Sequence, residues 1–201
     1  FCLLGPNGSG KTTTTHLFLG FTTPTSGSAR VCGFDATSDH YRVRQTIAYI
    51  PDQISLYGPL SGLENLRYLT TLAGFRKLKD AELIAYLEEA GLSEEAARRR
   101  AGGYSKGMRQ KVGVALALAK EAKVLLLDEP TTGLDPESIA EFGRLIQRLA
   151  QQGVATLMAT HDLALASEIG TRIGMMRAGQ LEKTITPQAL GELLHPAVGL
   201  A

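Results

Sequence analysis

The residues best able to do chemistry lie in two groups far apart in the chain. Gly5-Pro6-Asn7-Gly8-Ser9-Gly10-Lys11-Thr12 fits the pattern G-x-x-x-x-G-K-[ST] in full. Chance produces that match in roughly one chain of this length in a hundred. The glycines let the backbone curl until several N–H groups converge on one phosphate, and a helix starting there adds its positive end. Lys11 would bring an ammonium to the β- and γ-phosphates of a nucleotide, and the Thr12 hydroxyl would hold Mg²⁺. Thr13 completes the set of binding residues. The second group is Val124-Leu125-Leu126-Leu127-Asp128-Glu129, an apolar run delivering two acids at its end. Asp128 is placed to hold Mg²⁺ through water, and Glu129 to polarise an attacking water.

Both groups need a scaffold that brings strand ends together, and the rest of the sequence describes one. Residues 1–4 are apolar and stop at the glycine-rich turn, and residues 11–19 read as a helix closed by Gly20. A short strand is expected near residues 29–32, a polar helix over 39–46, and a strand over 47–50 that ends at Pro51, which cannot donate to a ladder. Ser61-Gly62-Leu63-Glu64 is a capping box. Residues 80–90 carry Leu83, Leu87 and Ala90 on one helical face. Residues 124–127 form a strand apolar on both faces, as in a sheet covered on both sides. Asp135-Pro136 opens a helix, residues 154–159 and 172–176 are strands, and 162–169 is a helix. This alternation predicts an α/β fold with a mostly parallel sheet flanked by helices. Residues 1–60 and 122–201 would form its core, with 61–121 inserted as a helical subdomain.

Composition narrows the function classes. Hydrophobic residues make up 44% of the 201 and charged residues 20%, enough for a real core. The net charge of +1 gives no support for a nucleic-acid partner. No apolar run approaches the roughly 18 residues a membrane span needs, and nothing reads as a secretory leader. Cys2 and Cys32 lack metal or redox spacing and read as two small buried hydrophobes of a reduced, cytoplasmic chain.

Together these residues resemble the ATP-binding cassette ATPases that drive membrane transporters, over nearly the whole chain. Tyr104-Ser105-Lys106-Gly107-Met108-Arg109-Gln110 resembles the family's signature motif. Thr132-Gly133-Leu134-Asp135 resembles the loop that communicates between paired sites, and Ala159-Thr160-His161-Asp162 the switch-histidine segment. The resemblance implies a P-loop NTPase fold that binds ATP and Mg²⁺. It implies a head-to-tail dimer of cassettes in which Ser105 and Gly107 of one subunit face the γ-phosphate held by the other, with Asp135 near the shared interface. It further implies that Glu129, His161 and Lys11 are catalytic, His161 standing 32 residues after Glu129. The implied partners are a second cassette and an integral membrane permease, on the cytoplasmic face of the membrane, with transport in the export direction. Ser105 is equally a plain N-cap for the helix that follows.

Three departures from the family pattern stand out. Lys106 replaces the first glycine after the signature serine, a mark of export-type cassettes. The family's metal-facing glutamine falls at Asp52, with Gln53 one further on, and either offers Mg²⁺ an oxygen. The family places an antiparallel sheet and an adenine-stacking aromatic ahead of the phosphate loop, so this sequence is expected to be an N-terminally incomplete cassette. Two rival readings share the motifs: a cassette ATPase working on DNA or ribosomes, and a regulatory subunit that binds ATP without hydrolysing it. The first lacks a coiled coil or a second cassette, and the second is opposed by the intact Asp128-Glu129 pair and His161. Arg98-Arg99-Arg100 reads as a solvated helix end. Leu56, Tyr57, Leu60 and Leu63 fit either an exposed apolar patch, where the family docks its membrane partner, or ordinary core.

Overall fold

The computed structural model describes residues 1–75 and 77–194. Strand β1 (Cys2–Leu4) runs into the glycine-rich turn and helix α1 (Lys11–Phe18). A hairpin of β2 (Arg30–Val31) and β3 (Phe34–Asp35), helix α2 (His40–Thr46) and strand β4 (Ile47–Ile50) follow. Next come α3 (Gly62–Leu72), α4 (Asp80–Glu89), α5 (Glu94–Arg98), a 3₁₀ turn at Ala101–Gly103, and α6 (Lys106–Ala119). The chain then alternates through β5 (Val124–Asp128), α7 (Pro136–Gln151), β6 (Ala155–Thr160), α8 (Leu163–Ile169) and β7 (Ile173–Arg177). Strand β8 (Gln180–Ile185) and α9 (Pro187–Leu194) close the described residues. The expected core segment 122–201 extends through residues 195–201, which lie outside them.

Six strands form one sheet in the order β4-β5-β6-β1-β7-β8, parallel except for the edge strand β8. Alternation along β5 explains its continuous apolar run. Leu126 points into a cluster with Leu19, Val31, Val43 and Ile47 on the face carrying α1 and α2. Leu125 and Leu127 point the other way, into the main core with Val112 and Ala115 of α6 and Phe142, Leu145, Ile146 and Leu149 of α7. Each such leucine contributes about 1.5–3 kcal/mol by its burial. The α7 positions recur at i, i+3, i+4 and i+7, the spacing of one helical stripe. Its start is set by Asp135, whose side chain accepts a hydrogen bond from the Ser138 N–H, with Pro136 in the first turn.

Several expectations need correction. The single strand near 29–32 is half of a hairpin, whose two-residue turn at Cys32 and Gly33 has φ +50 and +85. Two positive φ values match the right-handed twist of the flanking strands. They also push Cys32 outward, so Cys32 is exposed and only Cys2 is buried. Leu63 is core, while Tyr57 is exposed and stacks edge-on against Tyr68 at 5.0 Å. The Ser61 capping box forms as expected: Ser61 Oγ accepts from the Glu64 N–H, and Glu64 Oε2 accepts from the Ser61 N–H at 2.7 Å.

Candidate active site

The C-terminal edge of the parallel strands gathers the site. β1 ends at Leu4, beside β6, which ends at Thr160; β6 in turn pairs with β5, with Asp128 opposite Ala159. In open parallel sheets this edge is where ligands bind. The turn after β1 is shaped by backbone geometry only glycine accepts. Gly10, the residue before α1, has φ +101, and a Cβ there would meet Met176 Cε at 2.9 Å. At Gly5 a Cβ would stand 2.3 Å from the Met176 carbonyl oxygen, so the loop lies flush on β7. The Gly179 N–H donates to the Ser9 carbonyl at 2.9 Å and pins the loop's far side. Ser9 is buried, and its hydroxyl has no hydrogen-bond partner among the described residues. A hydroxyl left over in a loop of converging amides fits a phosphate oxygen.

Lys11 turns back over this loop. Its ammonium donates to the carbonyls of Gly5 at 2.8 Å and Pro6 at 3.2 Å, and lies 3.1 Å from Glu129 Oε1 as an off-axis ion pair. Lys11 is only 5% exposed, so this charge depends on those three oxygens. Glu129 reaches it because the chain turns sharply after β5: Glu129 has φ +48, and its N–H donates to the Ala159 carbonyl at 2.8 Å. A non-glycine residue there costs on the order of 1–3 kcal/mol, a strain that functional sites commonly hold. The other carboxylate oxygen, Oε2, accepts from the His161 N–H at 3.3 Å and lies 2.7 Å from His161 Nδ1. Lys11, Glu129 and His161, read from three distant stretches, therefore form one chain of contacts.

Asp128 faces Thr12, whose hydroxyl donates to Asp128 Oδ1 at 3.2 Å. Burial pushes the Asp128 carboxyl above the ordinary carboxylate range. The Thr12 hydrogen bond opposes that shift, and the neighbouring Glu129 charge adds to it. A buried carboxylate beside a hydroxyl is a donor set for a hard, oxygen-seeking cation such as Mg²⁺, whose charge would offset the cost of ionising Asp128. Among the described residues no group of three or more His, Cys, Asp or Glu is arranged to hold a metal. The remaining ligands would come from water and the phosphates, the usual division for Mg²⁺.

The other expected residues lie elsewhere. Ser105 caps α6, accepting from the Met108 N–H at 3.3 Å, and Asp135 caps α7, its carboxyl lowered first by the Ser138 N–H. Gly107, with Ser105, Leu134 and Ser138, lines a cavity between α6 and α7. No hydrogen bond or ion pair joins Ser105, Gly107 or Asp135 to Lys11, Thr12, Asp128 or Glu129 among the described residues. Of the two candidates after β4, Gln53 is exposed, and Asp52 is ion-paired with Lys106 rather than facing Thr12 and Asp128. Sequence reasoning noted Asp52 and Lys106 as separate departures and missed that their opposite charges meet. It took Gln110 only as the last residue of the signature-like motif and missed that the side chain is 1% exposed with an amide that makes no hydrogen bond among the described residues.

Known proteins resemble this chain in sequence and in fold. A family model described as "ABC transporter" matches residues 1–132. The chain is 34% identical over 197 residues to the uncharacterized ABC transporter ATP-binding protein YdbJ of Bacillus subtilis, covering 98% of this chain and 63% of that protein. It is 37% identical over 195 residues to the doxorubicin resistance ATP-binding protein DrrA of Mycobacterium tuberculosis, covering 97% and 58%. The chain thus spans less than two thirds of these relatives. Among solved structures, the ATP-binding cassette MJ0796, a dimer in a post-hydrolysis state bound to ADP and Pi, is 26% identical with a TM-score of 0.80, over 92% of this chain and 84% of that one. An ATP-binding subunit of an ABC transporter is 30% identical with a TM-score of 0.78, over 99% and 81%.

Proposed function

This chain belongs to the ABC transporter family, as a P-loop ATPase cassette, and on that premise we propose that it binds and hydrolyses ATP to power export through a membrane permease. The observation that carries the reading is the convergence of Lys11, Glu129 and His161 beside the Thr12–Asp128 pair at one sheet edge. In this reading the loop amides and Lys11 hold the phosphates and stabilise charge on the transferring phosphoryl group. Glu129 Oε2 takes the proton of the attacking water. His161 Nδ1 orients that carboxylate and, through it, the water. Thr12 and Asp128 would hold Mg²⁺, with an oxygen from Asp52 or Gln53; the ion would supply positive charge against the phosphates. The N-terminus of α6, with Ser105 and Gly107, and the Asp135 turn complete the site across a second copy of the cassette. Residues 61–121 act as a helical subdomain carrying that surface.

Export is supported by the drug-resistance names of relatives such as DrrA, and dimerisation by the dimeric MJ0796 cassette. The permease would dock on residues 52–63 and the adjoining face of α3, where Tyr57, Tyr68 and Leu72 are exposed at 55%, 38% and 66%. No described helix is long and apolar enough to cross a membrane, which suits a subunit held at the cytoplasmic face by its partner. The test is phosphate release from MgATP across a dilution series. Specific activity should rise with protein concentration and vanish in Lys11→Ala. Activity strictly proportional to protein down to dilute monomer would remove the dimer, and undiminished activity in Lys11→Ala would remove the site.

A further inference from the structure

Lys106 is the first residue of α6, directly after its cap, where the helix's partial positive charge disfavours a cation. The first turn of α6 carries no acid to offset it. The compensation comes from outside the helix: the ammonium pairs with the Asp52 carboxylate and donates to the Thr132 carbonyl. Those two groups belong to the two loops flanking the site. Asp52 follows β4, and the pairing of Ile50 with Leu127 sets that strand's end alongside Asp128. Thr132 closes the turn that aims Glu129, its N–H donating to the Glu129 carbonyl at 3.3 Å. By register Asp52 therefore emerges beside the Thr12–Asp128 pair, yet its carboxylate is held by a lysine from the helical segment.

A second observation lies on the same helix face. A cavity of about 420 Å³ separates residues 53–58 from α6, lined by Gln53, Ile54, Ser55, Lys106, Arg109 and Gln110. Gln110 is buried at its wall with both amide atoms unpaired, as is Nε of Arg109. Backbone of residues 53–56, moved into that space, would supply the N–H and C=O groups those atoms lack. The contact between α6 and residues 52–58 thus has one arrangement made and the groups for another.

We propose that Lys106 is a positioning residue for the ATPase site: it clamps Asp52 to the turn after β5, and its release lets Asp52 reach the Thr12–Asp128 pair that would hold the cation. The inference rests on the ATPase reading for the destination of Asp52, whereas the clamp itself stands on the ion pair. With the clamp closed, Asp52 contributes nothing to cation binding. When α6 moves toward residues 52–58, Lys106 leaves Asp52, and Gln110 secures the segment in its new place.

The test uses the full chain with Lys106→Met, Lys106→Arg, Asp52→Asn and the Lys106→Met/Asp52→Asn double variant. Hydrogen exchange of amides 52–58 is measured without nucleotide. The Mg²⁺ concentration needed for half-saturation with a fluorescent ADP is measured separately. Lys106→Met should raise exchange in that segment about tenfold, the loss of one charge-assisted tether, and lower the Mg²⁺ requirement severalfold. Lys106→Arg should behave as the wild type in both. In the Asp52→Asn background, Lys106→Met should leave the Mg²⁺ requirement unmoved, a coupling that plain structural damage would not produce. Exchange unchanged in Lys106→Met, or a Mg²⁺ shift of equal size with and without Asp52, overturns the proposal. Neither readout needs turnover, so a chain that failed to hydrolyse ATP would sink the ATPase reading and leave the clamp to be judged on its own.

Discussion

Removing the charge of Glu129 should move binding and turnover in opposite directions. Glu129 lies 3.1 Å from the Lys11 ammonium and 2.7 Å from His161 Nδ1. Two unit charges at that first separation attract by about 5 kcal/mol at an effective dielectric near 20. Most of this is offset by the desolvation of both groups. A nucleotide phosphate must draw Lys11 away from this carboxylate. In Glu129→Gln the competing charge is gone, and a surviving difference of about 1–2 kcal/mol corresponds to nucleotide binding roughly 5–30-fold tighter. The same substitution removes the proton acceptor, so turnover should fall about 10²–10⁴-fold. A fluorescent nucleotide titration and a phosphate-release assay at saturating MgATP read the two quantities. A damaged fold would lower both and would not reproduce the divergence. Wild-type turnover in Glu129→Gln would refute the base assignment. Binding weakened tenfold would refute the competition for Lys11.

Asp128→Asn should stabilise the nucleotide- and cation-free protein. Burial raises the folded-state value of this carboxyl above its unfolded one, so its contribution is full below about pH 4 and is lost as pH rises through the raised value. At pH 7.5 the ionised group is a cost, and the amide should raise Tm by on the order of 2 °C while abolishing any Tm increase on adding Mg²⁺. A retained Mg²⁺ response would remove Asp128 from the cation site. Ser61→Ala should remove the α3 cap, costing about 1 kcal/mol and roughly 2–4 °C in Tm by calorimetry. Glu64 is held below its usual range by Ser61, so its contribution is present above the unfolded value near pH 4.3 and lost as pH falls through the folded one. The Ser61 N–H, the larger of its two bonds to Glu64, survives in Ser61→Ala, so the acid limb of the stability profile should flatten in Glu64→Gln instead; an unchanged limb there would show that the Glu64 carboxylate contributes nothing.

Much of the scaffold could be read from local chemistry because local chemistry sets it. Pro51 ends β4, Asp135-Pro136 starts α7 and Ser61 starts α3, each through a backbone group satisfied or missing nearby. Strand β5 was legible because both its faces are covered. Strand β8 was not: most of Gln180–Ile185 is exposed, so no buried face imprints an alternation, and backbone bonds to β7 hold it. The β2–β3 hairpin was hidden by Cys32, a residue rarely used for a positive φ, in the place where asparagine usually marks such a turn. At the site, residue types and spacing pointed to Lys11, Thr12, Asp128 and Glu129 as candidates, and the family resemblance added His161; the structure brings the five to one sheet edge. The ion pair of Lys106 with Asp52 was out of reach of spacing alone, because nothing in a linear pattern says that residues 54 apart share a contact.

The placement of β1 has a consequence for how the protein is made. This three-residue strand lies in the middle of the sheet, between β6 and β7, both beyond residue 154. Its backbone bonds therefore have no partners until most of the chain has left the ribosome, on the order of ten seconds later at typical synthesis speeds. The phosphate loop, emitted well before those partners, is among the last parts to take shape. A nascent chain interrupted before β6 emerges has every residue of the loop and neither of the strands that flank β1, so ATP cannot serve as an early folding ligand. On the proposed site, nucleotide would stabilise only the finished sheet, in chains that already carry Asp128, Glu129 and His161 in place.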